Sequence, residues 1–172
     1  MAGVNRWIGI SGSWRTTTPE IEQDVRETVR HIILEGAGII SGGALNVDYQ
    51  ATDEVLKLNR HQQIKVFLPT TLDIYATHYR KRAQEKAITE QQAEDLISQL
   101  ITLKNLNPHG LIENPTNTEV NEKTYFERNS EIVNASDELV AFQVNNSPAV
   151  QDTIDKAKTK GIPVKVHSYE VK

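Results

Sequence analysis

The sequence predicts an α/β fold: a parallel sheet of about five strands with helices on both faces and a helical insertion after the third strand. Three observations carry that expectation. Short runs rich in Ile, Val, Leu and Phe recur along the chain, at Val4–Ile10, Ile39-Ile40, Ile64–Leu68, Leu139–Phe142 and Pro163–Val166. Between them lie segments whose apolar residues return every three or four positions, the period of one helical face. Helix-starting residues and glycine stops punctuate these segments, so strands and helices alternate as parallel βαβ units require. At 172 residues the chain is long enough for one core and short for two, so a single domain over 1–172 is expected, with the insertion at 70–123.

Each element has a local reason. After the first strand, Thr18-Pro19 pairs a capping residue with proline at the first helical position, and Ile21, Val25, Val29, Ile32 and Ile33 form the buried face before Gly36 and Gly38. A second helix is expected from Ala44, with Val47, Ala51, Val55 and Leu58 on one face, ending near Asn59. Alternation then stops. Thr70 to Lys123 shows no strand signal but two helical patterns, one over Asp73–Lys86 and one after the capping box Thr89-x-x-Gln92, with Leu96, Ile97, Leu100, Ile101 and Leu103 on its apolar side. The first carries Tyr75, Tyr79, Arg80, Lys81, Arg82 and Lys86, read either as a solvated charged face or as a lid bringing tyrosines and positive charge over a ligand. Asn105 to Asn121 has loop composition. A further box, Thr124-x-x-Glu127, is expected to open the next helix, ending at Ser136-Asp137; Ser147-Pro148 opens the last, and Gly161 closes it.

Two glycine turns point to function. Ile39-Ile40-Ser41-Gly42-Gly43-Ala44-Leu45-Asn46-Val47-Asp48 reads as the end of a buried strand, a turn without Cβ atoms and a helix N-terminus, the outline of a phosphate cradle. Ile8-Gly9-Ile10-Ser11-Gly12-Ser13 makes a similar turn after the first strand. A switch point between the first and fourth strands would bring Gly12, Gly42-Gly43 and Asn145-Asn146 to one crevice at the carboxyl edge of the sheet. Ser11 and Ser13 suit either their own turn or a phosphate; Trp14 suits base stacking, and Arg15 a phosphate. Asp48 suits ribose hydroxyls or the loop's own amides.

In this order, Ile40-Ser41-Gly42-Gly43-Ala44 with Val47-Asp48, Glu127-Arg128-Asn129 with Ser136–Phe142, and Asp152-Thr153-Ile154 with Gly161–Val164 resemble the SLOG superfamily. That superfamily joins the Rossmann-like core of the DNA-processing protein DprA (Smf) to the lonely-guy (LOG) phosphoribohydrolases and to small nucleotide-sensing domains. The DprA side looks nearer, with a glycine motif Ser-Gly-x-Ala-x-Gly-Ile/Val-Asp in which Asn46 here stands at the second glycine. The resemblance implies a Rossmann-like domain binding a phosphorylated nucleoside or nucleotide through Ser11, Gly12, Ser13, Trp14, Arg15, Gly42, Gly43, Ala44, Asp48, Arg128 and Asn129, without strong catalysis. It also implies two alternatives. One is an N-glycosidic-bond hydrolase or deoxyribosyltransferase acting on nucleoside monophosphates, with Arg128 on the phosphate and Asp152 near the place of the lonely-guy acid, although Asn145–Val150 replaces the glycine-rich loop. The other is a single-stranded DNA-binding accessory using the basic helix near Arg80.

Composition narrows the field. There is no cysteine, hence no disulfide and no thiol chemistry, and a cytoplasmic setting is expected. Met1 to Trp7 shows no targeting pattern, and no apolar run is long enough for a bilayer. The net charge of −4 disfavours a polyanionic partner over a small-molecule nucleotide. The five histidines lack metal-ligand spacing, so no metal and no further cofactor is expected. Serine-nucleophile and dinucleotide fingerprints are incomplete, and homo-oligomerisation stays open.

Overall fold

The computed structural model describes residues 3–172; Met1 and Ala2, the start of the stretch read for a targeting signal, lie outside them. In chain order the elements are β1 (Trp7–Gly12), α1 (Pro19–Leu34), β2 (Gly38–Ser41), α2 (Val47–Lys57), β3 (Ile64–Phe67), α3 (Leu72–Gln84), α4 (Glu90–Leu106), β4 (Leu111–Ile112), α5 (Glu122–Ala135), β5 (Glu138–Val144), α6 (Pro148–Lys160) and β6 (Val164–Tyr169). The strands form one sheet in the order β4-β3-β2-β1-β5-β6, every neighbouring pair parallel. The sheet therefore has six strands, not five. The addition is β4, two residues inside the stretch without strand signal, held beside β3 through Val66–Leu111 and Phe67–Ile112.

Strand alternation sorts the core into two layers. Ile8, Ile10, Ile39, Ile64, Val66, Val140, Phe142 and Val144 face α1, α2 and α4, while Leu139 and Ala141 face α6 and Val133 of α5. On the first side α1 packs on α2 and α2 on α4, so the inserted helices are part of the main core; α5 and α6 pair on the other side. Lys160 ties that pair together by donating from Nζ to the carbonyls of Val133, Asn134 and Ser136 at 3.0, 2.8 and 2.9 Å, the last turn and exit of α5.

Helix starts follow their caps. Thr18 Oγ1 accepts from Ile21 N with Pro19 behind it, and Thr89 and Gln92 form a reciprocal box. Two starts differ from expectation. Residues 44–46 form an irregular turn, so α2 begins at Val47. For α5 the box is Asn121 with Thr124, one turn earlier than Thr124-x-x-Glu127, because the Asn121 side chain takes the Thr124 N–H and the Thr124 hydroxyl returns to Asn121 N.

A crevice at the carboxyl edge of the sheet

The crossover after β1 leads to β2 on one side, whereas β5 lies on its other side, so the sheet reverses strand order between β1 and β5. This is the switch point at which ligands bind in open parallel sheets. Gly12 ends β1 there, Gly42 and Gly43 follow β2, Asn145 and Asn146 follow β5, and α5 sends Arg128 in from the second face.

Three glycines shape the crevice. A Cβ on Gly12 would stand 2.4 Å from Val47 Cγ1, so glycine lets the first turn of α2 lie against β1. On Gly42 it would stand 2.7 Å from the Arg128 Cζ, so this bare backbone is the floor on which the guanidinium rests. Gly43 has φ +68°, and its Cβ would meet Leu68 Cδ2 at 2.8 Å and Val66 Cγ1 at 3.1 Å. A side chain at Gly43 thus enters the core, not the place of a phosphate.

Hydrogen bonds hold the loop from three helices. Asp48, buried in the first turn of α2, accepts from Ala44 N at 3.2 Å, and the Gly42 amide also acts on its carboxylate. Burial pushes this carboxyl's pKa up; Arg128 and the two amides pull against that. Of the two roles open to Asp48, the contacts are those of shaping the loop. Arg128 of α5 is 8% exposed and donates through Nη1 to the Gly42 carbonyl and through Nε to Asn129 Oδ1 at 3.3 Å. Its guanidinium also sits 5.2 Å from the Tyr125 ring centroid. Tyr75 of α3 donates its hydroxyl to the Gly43 carbonyl at 2.9 Å. Among the described residues Arg128 forms no ion pair, and no protein acceptor meets the N–H groups of Gly43, Leu45 and Asn46. A buried guanidinium with spare donors beside loop amides without a protein acceptor is a set of groups able to donate to an anion.

The fold is shared. DNA processing protein A from Helicobacter pylori, a structure described for its single-stranded DNA binding mode, superposes with a TM-score of 0.68 at 20% identity over 95% of this chain and 65% of its own. The chain has the fold of DprA. DprA from Streptococcus pneumoniae matches at TM-score 0.50 and 12% identity over 92% of this chain and 58% of its own. The Moco carrier protein from Chlamydomonas reinhardtii matches at 0.52 and 13% over 95% and 76%. The chain thus spans less than two thirds of either DprA structure. No protein-family model and no curated protein sequence matches it.

In this DprA-like core the remaining expected residues divide. Ser11 lies within β1, and the buried Ser13 turns its hydroxyl back to Arg15 N and Thr16 N at 3.3 and 3.4 Å, a local turn. Trp14 is 40% exposed, with the Arg15 guanidinium 4.9 Å from its ring centroid. Asn46 has φ 60° and ψ −106°, outside the left-handed helical region, and its side-chain amide bonds the Trp14 carbonyl, joining the two glycine turns. Asn129 reaches Asp152 Oδ2 at 3.4 Å, but Asp152 is paired with Lys156 at 2.6 Å. Asn145 and Asn146 both have positive φ, and Asn145 is clamped to Val171 by two hydrogen bonds of 2.8 and 2.9 Å.

Tyr75 and Tyr79 are 0% and 6% exposed and belong to the core, which removes the lid; the charges of that helix do face outward, with Arg80 on Glu94 at 2.9 Å. The Tyr75 contact with the loop went unread, although the i, i+4 spacing of the two tyrosines marked a buried face. Away from the crevice, a depression of about 540 Å³ runs along α1 between Thr17, Glu22 and Arg30, where Arg26 is already paired with Glu22 and Asp53. Among the described residues no three His, Asp or Glu side chains gather to hold a metal ion, and no helix is long and apolar enough to cross a membrane.

Proposed function

We propose that this chain is a nucleotide-binding domain whose ligand places a phosphate against the Gly42–Asn46 loop and Arg128. One observation carries the reading: among the described residues, a buried arginine hydrogen-bonded only to neutral acceptors lies beside loop amides that no protein acceptor meets. The buried Asp48 carboxylate acts on Arg128 through space without an ion pair, so the guanidinium keeps free donors, and a phosphate accepts from both guanidinium and amides. Trp14, exposed beside Arg15 and linked through Asn46 to the loop, offers a face for the base. The deciding experiment is a thermal-shift screen against nucleoside mono-, di- and triphosphates and nucleotide-derived signals. A ligand at 100 times its dissociation constant stabilises the fold by about 2.7 kcal/mol. A flat response across the panel overturns the proposal.

Cleavage of the N-glycosidic bond is the competing chemistry. Against it stands the Asp152–Lys156 ion pair, with its carboxylate also taking Asn129. Incubation with nucleoside monophosphates is expected to release little free base, and Asp152→Asn to leave that rate unchanged, since catalysis needs an oriented substrate and a free acid or base. Robust release lost in the variant would promote the enzyme. A second reading, binding of single-stranded DNA, draws on the Helicobacter pylori neighbour and on the exposed Trp14–Arg15 pair. It predicts affinity for oligothymidylate that rises with length and falls steeply with salt; the nucleotide reading predicts neither.

A further inference from the structure

We propose that Tyr75 is a positioning residue that sets the conformation of the Gly42–Gly43 loop, so that the inserted helices, through one phenol, tune how tightly the crevice holds an anion; its effect on affinity rests on the nucleotide reading above. Two consecutive glycines form the most freely moving backbone a chain can offer, and Gly43 sits at positive φ, so the loop needs partners from outside to keep its amides aimed. Asp48 fixes the amide side and Arg128 the Gly42 carbonyl. Among the described residues the Gly43 carbonyl has Tyr75 alone, at 2.9 Å.

Tyr75 is itself placed rigidly. It lies in the first turn of α3, whose start is clamped twice: Thr71 Oγ1 takes Ile74 N at 3.4 Å, and Glu113, just past β4, takes Leu72 N at 2.7 Å while pairing with Lys104 at 2.9 Å. Its ring is fully buried and meets Tyr79 edge-on, centroids 4.8 Å apart. The Tyr79 hydroxyl stands 3.3 Å from that of Tyr75; because the single Tyr75 proton goes to Gly43, Tyr79 is the donor in this pair. Burial pushes both phenols far above their usual range, so the donors keep their protons through the physiological range. The chain Lys104–Glu113–Leu72 thus fixes a phenol whose function is to hold a glycine carbonyl.

Tyr75→Phe preserves the buried ring and deletes one hydroxyl. Hydrogen exchange of the ligand-free variant is expected to accelerate about 3- to 10-fold in the segment 42–46 and to match the parent elsewhere, and calorimetry with AMP is expected to show an affinity loss of similar size. Tyr79→Phe should give the same pattern more weakly. Unchanged exchange in the loop overturns the proposal. So does acceleration across the whole chain, which marks a merely structural tyrosine, or an AMP affinity that stays the same. If AMP fails to bind the parent, the nucleotide that most raises the melting temperature takes its place; if none does, the nucleotide reading falls, and the exchange comparison alone decides the role of Tyr75.

Discussion

A methyl group at Gly42 would stand 2.7 Å from the Arg128 Cζ, whereas one at Gly43 would be driven into Leu68 and Val66. The first obstacle is the end of a flexible side chain and the second is packed core, so the two neighbours should respond differently. Gly42→Ala is expected to displace the guanidinium, weakening nucleotide binding several-fold while lowering unfolding free energy by about 1 kcal/mol or less. Gly43→Val combines left-handed strain of about 1–2 kcal/mol with overpacking of about 1–3 kcal/mol, and should destabilise by roughly 2–5 kcal/mol. Urea denaturation of both variants, alongside titration with AMP, checks the contrast. From sequence, the turns were visible as glycines but their reasons were not. Each reason is a contact with a residue distant in the chain, Val47 for Gly12 and Arg128 for Gly42, that only the fold brings into range. The inward course of Arg128 came from the family resemblance alone, because one position past a cap-box glutamate reads equally well as a surface ion pair.

Glu113 shows how a short element can matter. Burial alone would raise its carboxyl, but the Leu72 N–H and the Lys104 ammonium outweigh that and hold it below the usual carboxylate range. A depressed acid stabilises the fold above its unfolded pKa of about 4.3, and that contribution is lost as pH falls through the folded value. Glu113→Gln should therefore cost about 0.5–1 kcal/mol at pH 7, and the difference from the parent should close below pH ~4, as denaturation at both pH values would show. A gap that persists in acid would mean the side chain acts by packing. Elements were legible where signals are local: Thr18-Pro19 and Thr89-x-x-Gln92 mark helix starts by chemistry confined to one turn. The start of α5 was not legible because Thr124 serves as the third residue of a box begun by Asn121, and threonine suits either position. Nor was β4, because two residues have no period; Leu111 and Ile112 are a strand only through pairing with β3.

For the whole molecule, alternation of strands and helices was enough to expect a parallel sheet with helices on both faces, and the reversal between β1 and β5 is the switch point that such a fold would place beside the glycine turns. Integration of the inserted helices could not be read, since α4 packs on α2 through residues whose apolar stripe fits any partner. The central claim is that the crevice at this reversal binds the phosphate of a nucleotide through Arg128. Its most direct test is isothermal titration calorimetry of the parent and of Arg128→Ala with the nucleotide that most raises the melting temperature. Loss of a charge-assisted hydrogen bond worth about 1.5–3 kcal/mol predicts a 10- to 150-fold weaker dissociation constant in the variant, with circular dichroism confirming that both are folded. A folded variant whose affinity lies within about threefold of the parent would contradict the account.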